Sequence, residues 1–135
     1  MIRDYSAKFL SDLSDALDDG LRAASRRGSD IAALSMRPAP GAEGQLIRHR
    51  VSSSPGNPPF VRTGRLRSSL AYEKTGPLAW GFGTSVRYGR LLERGTSRMK
   101  SRPFLRPVLI RNGKDITREF VFAVKRKIGG GQANG

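Results

Sequence analysis

The stretch RLRSSLAYEKTGPLAWGFGTSV, Arg65 to Val86, decides the fold class. Leu66, Leu70 and Tyr72 recur on one side of residues 65–74, with Ser68 between them, while Arg65, Arg67, Ser69 and Glu73 take the other. Thr75-Gly76-Pro77 supplies turn chemistry, and Trp80, Phe82, Thr84 and Val86 then alternate with Ala79, Gly81, Gly83 and Ser85. Period-two alternation on both sides of a Gly-Pro turn reads as a β-hairpin. One face of the second strand is bulky. The other, at Gly81 and Gly83, is bare, and a bare face lets another backbone or helix approach closely, which makes it a candidate subunit interface. Packing explains Gly81-Phe82-Gly83 better than phosphate binding does.

Helical spacing surrounds the hairpin. Ile2, Tyr5, Phe9, Leu10, Leu13, Ala16, Leu17, Leu21 and Ala24 recur every three or four residues, with Asp4, Asp12, Asp15, Asp18 and Asp19 opposite. The spacing predicts an amphipathic helix over 2–27, ended by Gly28, with Arg26 and Arg27 in the last turn where cations suit the helix dipole. Residues 88–94 form a short helix around Leu91 and Leu92, closed by Gly95-Thr96. From Phe104 the pattern is helical again, with Pro107 fit for a first turn and Val108, Leu109, Ile116, Phe120, Val124 and Ile128 on its apolar side; Asn112-Gly113 is a point of breakage. Residues 35–62 carry Pro38, Pro40, Pro55, Pro58 and Pro59 with Gly41, Gly44 and Gly56, which reads as an extended arm or loop; Leu46 and Ile47 are its candidate interface anchors. The fold class is α+β: a long N-terminal and a C-terminal helix on a small antiparallel sheet, in one domain over 1–128, with a flexible tail at 129–135.

The chain has 135 residues, a formal net charge of +14 and no cysteine. Without cysteine there is no disulfide scaffold, thiolate zinc site or cysteine nucleophile. No apolar run reaches the ~20 residues of a membrane span. No secretory signal is visible, so we expect a soluble protein made in the cytoplasm. Residues 1–30 hold five bases and six acids, so the positive charge lies in the rest of the chain. Arg87, Arg90, Arg94, Arg98, Lys100, Arg102, Arg106 and Arg111 crowd together against Glu93 alone; Arg48, Arg50, Arg62, Arg65 and Arg67 form a second group. Such a surplus keeps a surface solvated, or faces a polyanion or an acidic partner. Arg48, Arg50, Arg98, Lys100 and Arg102 are the candidate DNA-facing residues. No sequence-reading motif accompanies them, so base-specific readout is not expected.

Catalysis finds little footing. His49, the one histidine, stands between Arg48 and Arg50 with no acid near in sequence to orient it. The acids beyond residue 43 are Glu73, Glu93, Asp115 and Glu119, too scattered for a paired-carboxylate reading. Asp115 and Glu119, four apart on a helix, read as a solvated face with Lys114 and Arg118 rather than a metal site. Gly113-Lys114 lacks the rest of a phosphate loop. No catalytic, cofactor or metal residue is assigned. Glu93 reads instead as a buried partner for an arginine, within the subunit or across a subunit boundary.

One ordered series remains. Pro59-x-x-x-Thr63-Gly64-Arg65-Leu66-Arg67-Ser68-Ser69-Leu70 is followed by Val86-x-Tyr88-Gly89-x-x-Leu92-Glu93-x-Gly95-Thr96, then Met99, Pro103-Phe104-Leu105 and Arg106-Pro107. Over residues 59–109 this resembles the neck or tail-completion proteins of long-tailed bacteriophages, often described as tail components. Gly89 stands where that family more often has alanine. The resemblance implies a non-enzymatic virion protein of the head–tail junction, made in the host cytoplasm. It implies a ring, sixfold favoured and twelvefold the alternative, joined to neighbouring neck, head-completion and tail proteins. Phage DNA would pass non-specifically through the lumen, and no membrane or cofactor is involved. Thr63, Gly64, Leu66, Tyr88, Glu93, Gly95, Thr96, Pro103, Phe104 and Pro107 are then structural. Thr63-Gly64 launches the hairpin, Gly95-Thr96 turns the chain after the short helix, and Tyr88, Phe104 and Leu105 pin that region to the core. The alternative is a cytoplasmic protein that binds nucleic acid without sequence preference. A small hydrolase using Glu93, Asp115 or Glu119 is the weakest reading.

Overall fold

The computed structural model describes residues 2–37, 53, 55–61 and 64–129, with side chains from Ala7 onward. Helix α1 spans Ile2–Ser35. At 1.5 Å per residue its 34 residues make a rod of about 50 Å. A short helix α2 (Arg65–Ser68), strands β1 (Leu70–Gly76) and β2 (Ala79–Thr84), and helices α3 (Arg87–Arg94), α4 (Arg106–Arg111) and α5 (Gly113–Ile128) follow. The expected α+β arrangement of two principal helices and a small antiparallel sheet is what the chain forms.

α5 lies antiparallel to α1. Arg27 on α1 reaches Asp115 at the start of α5, and Gly20 meets Phe120 and Val124 further along. A Cβ on Gly20 would stand 2.6 Å from Val124 Cγ2 and 2.8 Å from the Phe120 ring. With Ala16, Ala32 and Ala123 also buried, the two helices approach through small residues, and the core they enclose is thin. The sheet lies on another side of α1. A Cβ on Gly28 would come within 2.4 Å of Phe82 Cε1.

That contact corrects the expected end of α1. Gly28 does not stop the helix; it admits the Phe82 ring, and α1 runs on to Ser35. Arg27 therefore does not cap a last turn. Its guanidinium donates to Asp115 from Nε at 3.2 Å and from Nη2 at 2.8 Å. Asp115 raises the Arg27 pKa, first by this hydrogen bond and then by its charge.

The hairpin pairs Leu70 with Thr84, Tyr72 with Phe82 and Lys74 with Trp80, with an irregularity between Lys74 and Gly76. The turn falls at Pro77-Leu78, one residue later than the sequence suggests. Leu78 takes a φ of 50°, a value seldom adopted by a residue with a side chain. The bulky face, with Tyr72, Trp80 and Phe82, lies toward α1. Trp80 Nε1 donates to Asp18 at 2.9 Å, and Lys74 Nζ pairs with the same oxygen at 2.9 Å.

The predicted first strand over 65–74 begins as helix. Gly64, at φ 78°, turns the chain into α2. The Ser68 and Ser69 hydroxyls bond back to the carbonyls of Arg65 and Leu66. Such back-bonding competes with strand pairing, so extended structure starts only at Leu70.

The composition of residues 35–62 suggests an arm, yet the described parts of that segment are fastened to the rest of the same chain. Met36 is buried, Val61 N donates to Arg37 O, Gly56 N to Ser101 O, and Arg102 Nε to Ser53 O.

Candidate interaction surfaces

Leu66, Leu70, Val86, Leu92, Phe104 and Leu105 of the phage-like series converge on one nucleus. Met36, Leu66 and Phe104 are buried together, with Val61, Leu70, Val86, Leu92 and Leu105 packed around them. Gly89 is buried at the foot of α3, where a Cβ would stand 2.6 Å from Thr84 Cγ2 and 3.0 Å from Leu66 Cδ1. The departure from alanine at this position thus accompanies a close approach of α3 to the hairpin and α2.

Glu93 binds this nucleus together, though not as expected. Its partner is no arginine. Oε2 accepts from the backbone N–H of Phe104 at 2.8 Å and of Leu105 at 3.0 Å, and Oε1 accepts from Arg106 at 2.8 Å. α4 has no side-chain cap of its own, so this distant carboxylate satisfies amides that a helix start leaves open. Pro107, in the first turn, has no amide to satisfy. Phe104 is completely buried and Leu105 packs beside it. Tyr88 departs from its expected role: it is 40% exposed and does not pin the region to the core.

The segment between α3 and α4 is fixed by its backbone. Gly95 has a φ of 76°, and a Cβ there would lie 2.8 Å from Ser101 N. Thr96 N donates to Met99 O and Met99 N to Thr96 O, closing a tight turn that presents Ser97 and Arg98 to solvent. Pro103 is half-buried just before Phe104.

The basic candidates divide. Arg98 and Lys100 are exposed, as are Arg87, Arg90 and Arg94 on α3, and none of the five has an ion pair among the described residues. Arg102 differs, because its side chain is committed to Ser53 O at 2.9 Å and its amide to Leu92 O at 2.7 Å. Arg48, Arg50, Leu46, Ile47 and Thr63 lie outside the described residues.

Three further surfaces are open. Among the described residues nothing covers the small-residue face of the hairpin: a Cβ on Gly83 would meet none of them within 4 Å, and one on Gly81 only Thr75, at 3.7 Å. A cleft of about 540 Å³ opens between Met36, Pro59, Phe60, Leu66, Tyr88 and Met99. Apolar side chains are exposed at the start of α1 (Phe9, 61%; Leu10, 63%) and on α4 and α5 (Leu109, Ile110, Val121 and Phe122, the last 62%). Helical periodicity assigns Phe9, Leu10 and Leu109 to the core. It holds no signal that α1 outruns the element that covers it.

No protein-family model matches the sequence, and neither a curated protein nor a solved structure matches it significantly.

Proposed function

We propose that this chain is a structural subunit of the head–tail junction of a long-tailed bacteriophage, a neck protein that closes into a ring around the DNA channel. The observation that carries the reading is the convergence just described: Leu66, Leu70, Val86, Leu92, Phe104 and Leu105 of the phage-like series meet in one nucleus, fastened by the Glu93 carboxylate. They serve architecture. Glu93 spends both oxygens on backbone amides and Asp115 is engaged by Arg27, which counts against two of the three alternative acids of the hydrolase reading.

Assembly follows from what the subunit leaves uncovered. Exposed Phe9, Leu10, Ile110 and Phe122 are costly in water, at about 25 cal/mol per Å² of apolar surface. A ring needs two different, complementary patches on each copy; the phage resemblance favours sixfold closure over twelvefold. The exposed bases Arg87, Arg90, Arg94, Arg98 and Lys100 then face the lumen, where contact with passing DNA is with phosphates and needs no base readout. The protein would be made in the host cytoplasm and end in the virion, against neck, head-completion and tail proteins.

Light-scattering mass over a concentration series, alone and with the adjoining neck proteins, tests this. A closed oligomer in either condition is expected. A monomer throughout, together with electron micrographs of particles whose collar lacks the chain, overturns it.

The same exposed bases favour the second reading, a cytoplasmic protein that binds nucleic acid non-specifically. The monomer would then bind duplex DNA tightly, with log affinity falling by about 0.9 per phosphate neutralised as log salt rises. The ring reading expects weak binding before assembly.

A further inference from the structure

The two apolar exposures differ in charge. From Ala7 to Asp19, α1 carries Asp12, Asp15, Asp18 and Asp19 against Lys8 alone. Asp18 is taken by Trp80 and Lys74, which leaves Asp12 and Asp15 exposed near Phe9, with Leu10 exposed about 100° further round the helix. The outer face of α5 is the reverse. Val121 and Phe122 lie in a shallow depression with Lys114, Arg118 and Lys125 around them and no acid in its lining. Lys127 at the end of α5 lines the same depression as Lys8, Phe9, Asp12 and Asp15.

The two faces cannot meet within one copy. α5 already rests its opposite side, through Phe120, Ala123 and Val124, on α1. We propose that the acidic, apolar start of α1 in one copy docks on the basic, apolar outer face of α5 in a second copy. This rests on the ring reading above and names its junction. The contact is heterologous, since each copy offers a different patch to either neighbour, and repeats until it closes. Apolar burial of Phe9 and Leu10 against Val121 and Phe122 supplies affinity; Asp12 and Asp15 against Lys114, Arg118 and Lys125 fix the register and exclude self-pairing of like faces.

The absence of cysteine makes the test direct. Chains carrying only Leu10→Cys and chains carrying only Val121→Cys, one of them tagged, are mixed and mildly oxidised, with total mass followed by light scattering. Mixed Leu10–Val121 crosslinks are expected in several-fold excess over either homodimer, falling about tenfold at 1 M salt as the Debye length drops to about 3 Å. Charge exchange is the second arm. The variants D12K/D15K and K114E/R118E/K125E each fail to crosslink through these positions with themselves, and mixing the two restores it. Homodimers equal to or exceeding mixed products, or no mixed product at all, overturn the junction. A closed ring without the mixed crosslink overturns the junction and leaves the ring standing. The mixed crosslink in chains that never close keeps the junction and sinks the ring. Binding of duplex DNA, or of an unlike neck protein, to the α5 face in preference to a second copy also overturns it.

Discussion

The Glu93 carboxylate accepts the Phe104 amide at 2.8 Å, so the last turn of α3 holds the first turn of α4 across eleven residues. The same carboxylate takes the next two amides, and all three bonds are charge-assisted. A bond of this kind contributes about 1.5–3 kcal/mol, though three on one half-buried group do not add in full. We expect Glu93→Ala to destabilise the fold by about 2–4 kcal/mol in urea unfolding. Glu93→Gln retains the shape and one good acceptor and should fall about midway. If Glu93→Arg proved as mild as Glu93→Gln, the carboxylate would not be the cap described.

This contact marks the limit of what the sequence makes legible. The hairpin, α3, the break at Asn112-Gly113 and the place of Pro107 follow from local chemistry, and each is found. Glu93 stands out in the sequence as an unusual acid, but its partners are backbone amides, which carry no side-chain signature. Gly28 misleads for a related reason. Glycine after a basic pair looks like a helix stop, and nothing local announces that Phe82, fifty-four residues on, needs the space. Leu66 alternates with Leu70 and Tyr72 as a strand residue would; hydroxyls of Ser68 and Ser69 tip it into a helical turn. For the interaction surfaces, charge segregation is visible in the sequence, but which apolar residues stay uncovered depends on how far α5 reaches along α1.

Gly28 and Phe82 set up a prediction in which two effects oppose. Alanine improves helix propensity by about 0.8–1.0 kcal/mol over glycine. A Cβ 2.4 Å from Phe82 Cε1 forces the ring aside, at about 1–3 kcal/mol. Gly28→Ala alone should therefore lower stability. In a Phe82→Leu background the clash is relieved, and the same substitution should be neutral or stabilising. A double-mutant cycle measured by thermal or urea unfolding reads the coupling; additivity within about 0.5 kcal/mol would place the ring away from Gly28.

Asp18 gives a pH dependence. The Trp80 hydrogen bond lowers its pKa most, followed by the hydrogen bond from Lys74. A carboxyl whose folded pKa lies below its unfolded value stabilises the fold above the unfolded pKa, near 4, and that contribution disappears as pH falls through the folded value. The difference in melting temperature between the wild type and Asp18→Asn should be full at neutral pH and close below about pH 4. The side-chain amide of that variant still offers an oxygen to Trp80, so the loss reports the charge. An equal deficit at pH 3 and pH 7 would assign Asp18 a packing role instead.

Leu78 is the one described non-glycine residue with positive φ, at 50°, and it occupies the second position of the Pro77-Leu78 turn. In a turn that opens with proline, this position favours glycine, because a Cβ in the left-handed region costs about 1–2 kcal/mol. The side chain is 45% exposed, so little packing within the chain offsets that strain. Glycine brings back some unfolded-state entropy, which works against it. Leu78→Gly should stabilise the monomer by about 0.5–1 kcal/mol in urea unfolding, and Leu78→Val, β-branched at the same φ, should destabilise it. A Leu78→Gly variant less stable than the wild type would mean that the leucine side chain at the hairpin tip contributes more packing than its exposure indicates.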